Sequence, residues 1–91
     1  MFTIKNLTRP NVEALRALLT EEERRAVRVG DGRRIAQFFM TPGEAQRLIA
    51  TLTERAAQQF GRSSTHYLAL PAIARKIDEA ASAALNPERK G

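Results

Sequence analysis

His66 is the one histidine of the chain and stands in the run Ser63-Ser64-Thr65-His66-Tyr67. A hydroxyl beside an imidazole is the pairing that activates a nucleophile, provided a third group orients the ring. Ser63 and His66 are three residues apart, a spacing with no established catalytic geometry, and no carboxylate stands nearby in the sequence. The run therefore reads as a connector beside a partly buried tyrosine, with no catalytic residue expected. Gly30-Asp31-Gly32 invites comparison with phosphate-cradling glycine loops. It lacks the third glycine and precedes a strand pattern where that chemistry needs a helix N-terminus, so a hairpin turn is expected instead. Glu21, Glu22 and Glu23, and Asp78 with Glu79, are neighbours in sequence. Consecutive helical residues point in different directions, so no metal site is expected from either group. The absence of cysteine excludes disulfides, thiolate metal ligation and thiol chemistry. No cofactor is expected.

Arginine is the residue type with the most chemistry to offer. The chain carries 15 basic and 10 acidic residues, a net charge of +5, which favours acidic partners. Three acids at positions 21–23 are followed by Arg24, Arg25, Arg28, Arg33 and Arg34. Such a cluster can hold phosphates, each contact adding a salt-sensitive increment that ignores sequence. No aromatic residue lies among these arginines, which weakens a role in stacking on single-stranded bases. An acidic protein face is the other chemistry they suit.

The elements that must position these side chains can be read from pattern. The residues at 2–7 alternate weakly, as a short edge strand would. Val12, Leu15, Leu18 and Leu19 then fall at helical spacing, with Asn11 as the expected cap. Thr20 followed by Glu23 is a capping box and predicts a second short helix over 21–26, or one bent helix over 11–26. Val27-Arg28-Val29 and residues 33–39 flank the glycine turn as a β-hairpin. A three-residue loop with Gly32 in the left-handed region pairs Val27 with Ile35 and Arg28 with Arg34, keeping like with like. In that register one face carries Val27, Val29, Ile35 and Phe39. The other carries Arg28 and Arg34 near the turn, then Ala36, Phe38 and Met40.

Thr41-Pro42-Gly43-Glu44 combines a cap, a first-turn proline and a closing glutamate, so a helix is expected from there to about Phe60, stopped at Gly61. Its apolar stripe is Ala45, Leu48, Ile49, Leu52, Ala56 and Phe60. A last helix is expected over 71–85, with Leu70, Ile73, Ile77, Ala80 and Ala84 on one side. Residues 86–91 read as a polar tail. The expected fold is a single α+β domain over 1–85: an N-terminal helical segment, a β-hairpin, and two helices packed on one face of the sheet.

Residues 33–80 also loosely resemble a ribbon-helix-helix DNA-binding module. Arg33-Arg34-Ile35-Ala36-Gln37-Phe38-Phe39 stands where that family has its ribbon strand. Thr41-Pro42-Gly43-Glu44 stands at its first helix, and Gly61-Arg62-Ser63-Ser64 at the turn before its second. The resemblance implies an intertwined dimer whose strands read the major groove, here through Arg34 and Ala36 or through Arg33, Ile35 and Gln37.

Two functions follow from the sequence. The first is a non-enzymatic protein-binding regulator or inhibitor acting through Arg28, Arg34, Phe38 and Met40, since aromatic, methionine and arginine side chains are enriched at protein interfaces. The second is a nucleic-acid-binding module acting through Arg24, Arg25, Arg28, Arg33 and Arg34. No apolar run reaches the length of a membrane span, and residues 1–10 lack the charged start and apolar core of a signal peptide. The expected setting is the cytoplasm, as a monomer or homodimer.

Overall fold

The computed structural model describes residues 1–30 and 32–85. The expected tail at 86–91 and the side chain of Ala84 lie outside the described residues. The elements run β1 (Phe2–Ile4), α1 (Arg9–Leu18), a 3-10 turn (Glu23–Arg25), β2 (Val27–Gly30), β3 (Ile35–Phe38), α2 (Pro42–Gln59) and α3 (Thr65–Leu85). The strands form one antiparallel sheet in the order β1-β3-β2. The helices pack against it, α3 over β1 and α1 beside β2, and α2 closes the core over α1 and α3. The α+β class is as the sequence implied. No helix among the described residues is long and apolar enough to cross a membrane.

The hairpin register differs from the expected one. Val27 stands opposite Phe38, not Ile35, and Arg28 stands opposite Gln37, not Arg34. The strands are joined by the four residues 31–34 instead of the three residues 30–32, and the turn places both Gly32 (φ 75°) and Arg34 (φ 54°) in the left-handed region. The pairing is displaced by an odd number of residues, which turns β3 over. Ala36 and Phe38 therefore face the core, both fully buried, while Phe39 faces outward at 42% exposure. The cause lies outside the hairpin. β1 pairs with the far side of β3 and brings Phe2 opposite Phe38. The two rings stack with centroids 5.0 Å apart and planes within 4°. Val27, Phe38 and Phe2 thus form one apolar row, with Val29, Ala36 and Ile4 as the next.

This corrects two expectations. Phe38 is core and offers no surface to a partner, while Met40 is half-buried against the same core. A strand bonded on both sides within its own chain is also not a free ribbon, and Ala36, implied by the ribbon-helix-helix resemblance, is fully buried.

Local side-chain chemistry sets the helix ends. Thr41 Oγ1 accepts from Glu44 N at 3.2 Å and Glu44 Oε1 accepts from Thr41 N at 3.0 Å, the expected capping box of α2. The helix stops at Gly61, whose φ of 90° suits glycine. Its buried stripe is Ala45, Ile49, Leu52 and Ala56, whereas Phe60 is 45% exposed. The cap of α1 is Thr8, not Asn11: Asn11 occupies the third helical position, and its Oδ1 accepts from Thr8 N at 3.1 Å. Asn11 is buried, and its Nδ2 donates to the Ala69 carbonyl at 2.9 Å, tying α1 to α3. Helix α3 begins six residues before Pro71, because Ser64 Oγ accepts from Tyr67 N at 3.1 Å and caps it. The proline sits inside the helix, where it removes only the bond to the Tyr67 carbonyl. Leu70, Ile73 and Ile77 are fully buried as the stripe predicts.

Candidate binding furrow

A furrow runs between α1 and the edge strand β2. Its α1 wall is built from Arg9, Val12, Glu13 and Arg16, spaced three, one and three residues apart and therefore on one side of the helix. Its other wall is β2 and the hairpin turn. Two adjoining cavities fill it. One of about 470 Å³ is lined by Arg16, Leu19, Arg24, Val27, Arg28 and Val29. The other, about 430 Å³, is lined by Arg9, Val12, Glu13, Arg16, Gly30, Gly32 and Arg34. Arg16 belongs to both. Five arginines thus surround the half-buried Val12 and Val29, beneath which Leu19 and Val27 are already buried in the core. Among the described lining residues Glu13 is the one carboxylate, and its Oε2 lies 3.5 Å from Arg9 Nε.

The closed end of the furrow is fixed by polar contacts. The Arg24 guanidinium donates through Nη2 to the Arg16 carbonyl, joining the 3-10 turn to α1. The turn itself is held by the Thr20 capping box: Thr20 N donates to Glu23 Oε1 at 2.9 Å and Glu23 N to Thr20 Oγ1 at 3.1 Å. Arg55, reaching from α2, donates to both Glu23 carboxylate oxygens at 2.9 and 3.3 Å and to the Leu18 carbonyl at 2.6 Å. The Arg55 guanidinium, followed by the Thr20 amide and hydroxyl, holds the Glu23 carboxyl below its ordinary value against the opposing effect of burial. The same pairing raises Arg55. Glu23 is therefore committed to α2, not to the neighbouring Arg24 or Arg25.

The expected site residues divide accordingly. Arg24, Arg28 and Arg34 line the furrow, while Arg25 and Arg33 are exposed outside it. Arg28 and Arg34 do not share a register pair; they border different cavities and flank Arg16 from two sides. Arg9 and Arg16 were not anticipated. Their spacing on an amphipathic helix was visible, but not that the helix would lie beside β2. In the Ser63–Tyr67 run, Ser64 Oγ donates to the Gly61 carbonyl at 2.7 Å and caps α3, so its hydroxyl is occupied. His66 packs edge-on against Phe60, ring centroids 4.7 Å apart. No group of three or more potential metal ligands gathers among the described residues.

No family model, curated protein or solved structure matches the chain.

Proposed function

We propose that the protein is a small non-enzymatic cytoplasmic binding module, a regulator or inhibitor that holds an acidic segment of a partner protein in the α1–β2 furrow. The observation that carries this reading is the ring of five arginines around an aliphatic floor. Guanidinium groups recognise carboxylates in pairs of parallel bonds and steer an acidic partner during encounter. The half-buried Val12 and Val29 offer contact to apolar side chains, which a sugar-phosphate backbone does not carry. Among the described lining residues there is no aromatic ring for base stacking. Guanidinium and aliphatic groups supply no nucleophile, and Glu13, the one carboxylate among the described lining residues, faces Arg9, which supports binding over catalysis.

An NMR titration with a glutamate-rich peptide and, in parallel, with a mixed-sequence oligonucleotide tests the proposal. The peptide is expected to shift the amides of Arg16, Leu19 and residues 27–30. The double substitution Arg28→Ala and Arg34→Ala should weaken it roughly two- to thirtyfold, as two exposed charge contacts of ~0.2–1 kcal/mol each require. Tighter binding of the oligonucleotide at the same ionic strength would overturn the proposal. That holds above all if its salt slope falls by about two in the double variant, the sign of two lost phosphate contacts. The exposed Arg25 and Arg33 would then belong to the interface.

A further inference from the structure

We infer that the furrow takes its partner as an added β-strand, an extended segment of alternating aliphatic and acidic residues pairing with the open edge of β2. This rests on the acidic-segment reading above and specifies how the segment is held. Among the described residues strand β2 has β3 as its one strand neighbour. Just before it, Phe39 N donates to the Ala26 carbonyl at 2.8 Å, in the same register that pairs Val27 with Phe38. Bonded and non-bonded pairs alternate along an antiparallel ladder. Arg28 and Gly30 therefore turn their backbone groups toward β3. Val27 and Val29 turn theirs the other way, to the outer edge of the sheet. Val29, half-buried, lines the larger cavity, so the edge opens into the furrow there, while Val27 is 1% exposed and leaves no room for a partner.

A strand laid there continues the pleat. The side chains on its inner face meet the half-buried Val12 beside Arg9 and Arg16 of α1, and those on its outer face come beside Arg28. From Val29 outward β2 offers ~7 Å, room for about two paired residues of partner. Charge settles what the occupant is. An acidic segment complements the five arginines, whereas a second copy of this chain would bring another strongly basic surface against them. Charged side chains along an edge are also how sheets prevent self-pairing.

The probe is a capped hexapeptide of alternating valine and glutamate, measured by calorimetry against the full chain, with two further versions. One is N-methylated on the valines and the other on the glutamates. An added strand presents only alternate N–H groups to β2. One methylated version should therefore lose at least about tenfold in affinity, while the other binds nearly as the parent does. Val29→Pro provides the second arm. It deletes an outward N–H without removing a bond to β3 and should weaken the parent peptide about fivefold, with folding checked by circular dichroism. Equal binding of the two methylated peptides overturns strand addition and leaves the furrow reading standing. Undiminished binding to folded Val29→Pro does the same. Failure of the parent peptide to bind at millimolar concentration overturns both.

Discussion

Arg55→Ala tests the clamp that fixes the closed end of the furrow. One guanidinium holds the Glu23 carboxylate and the Leu18 carbonyl, joining α2 to the 3-10 turn and to the last turn of α1. The side chains of the pair keep only 23% and 24% of their exposure, so the contact lies between a surface ion pair and a buried one. Exposed pairs contribute ~0.2–1 kcal/mol, and hydrogen bonds to charged groups ~1.5–3 kcal/mol. Loss of Arg55 should therefore cost about 2–3 kcal/mol, against a total of ~5–14 kcal/mol for a domain of this length. The melting temperature should fall by roughly 10–20 °C.

The pH dependence carries the sharper test. The clamp holds Glu23 below its ordinary 4.5. Its stabilisation is therefore fully present above 4.5 and is lost as pH falls through the lower, folded value. Urea unfolding at a series of pH values should show the gap between wild type and Arg55→Ala at full size near neutrality, narrowing only below 4.5. A residue of the gap should persist in acid, because the bond to the Leu18 carbonyl does not titrate. Glu44 is also held low, by its bonds to Thr41, but it is present in both proteins and cancels from the difference. A gap below ~0.5 kcal/mol near neutrality, or one that stays constant through acid, would refute the reasoning.

Three further substitutions probe the framework. Asn11→Ala removes the bonds to Thr8 N and the Ala69 carbonyl at a buried site and should cost ~2–3 kcal/mol by urea denaturation. Phe38→Ala empties the centre of the core and unstacks Phe2, so a loss of ~3–5 kcal/mol is expected; a folded variant of near wild-type stability would contradict the observed register. Gly32→Ala meets no atom within 4 Å, so its cost comes from the φ of 75° alone and should be about 1 kcal/mol in melting experiments.

What was legible in the sequence is what neighbouring residues settle among themselves. The Thr41–Glu44 and Thr20–Glu23 boxes are side-chain-to-backbone bonds over three residues, and both form. The left-handed φ at Gly32 and Gly61 is likewise local. Asn11 reads as the cap by residue type, ahead of Thr8, its partner in the box. Its role as a tie to α3 depends on Ala69, 58 residues away. Pro71 reads as a helix boundary when considered alone. The Ser64 hydroxyl, placed to cap an earlier turn, allows α3 to start before it.

The register error has a different origin and bears directly on function. A hairpin judged by itself prefers to match like with like, and nothing within residues 27–39 says otherwise. The deciding contact is Phe2 on Phe38, made by a strand more than thirty positions earlier, and it makes β3 central rather than an edge. Turning β3 over takes the aromatic anchor out of the expected interface. What remains for a partner is the edge of β2, and there the arginines read from the sequence meet two that α1 contributes through packing. The same contact that stabilises the core thus determines which chemistry the surface keeps. Phe38 is spent on the inside, Val27 and Val29 take the inner face with their outer backbone groups turned away from β3, and the recognition proposed above rests on charge and main chain.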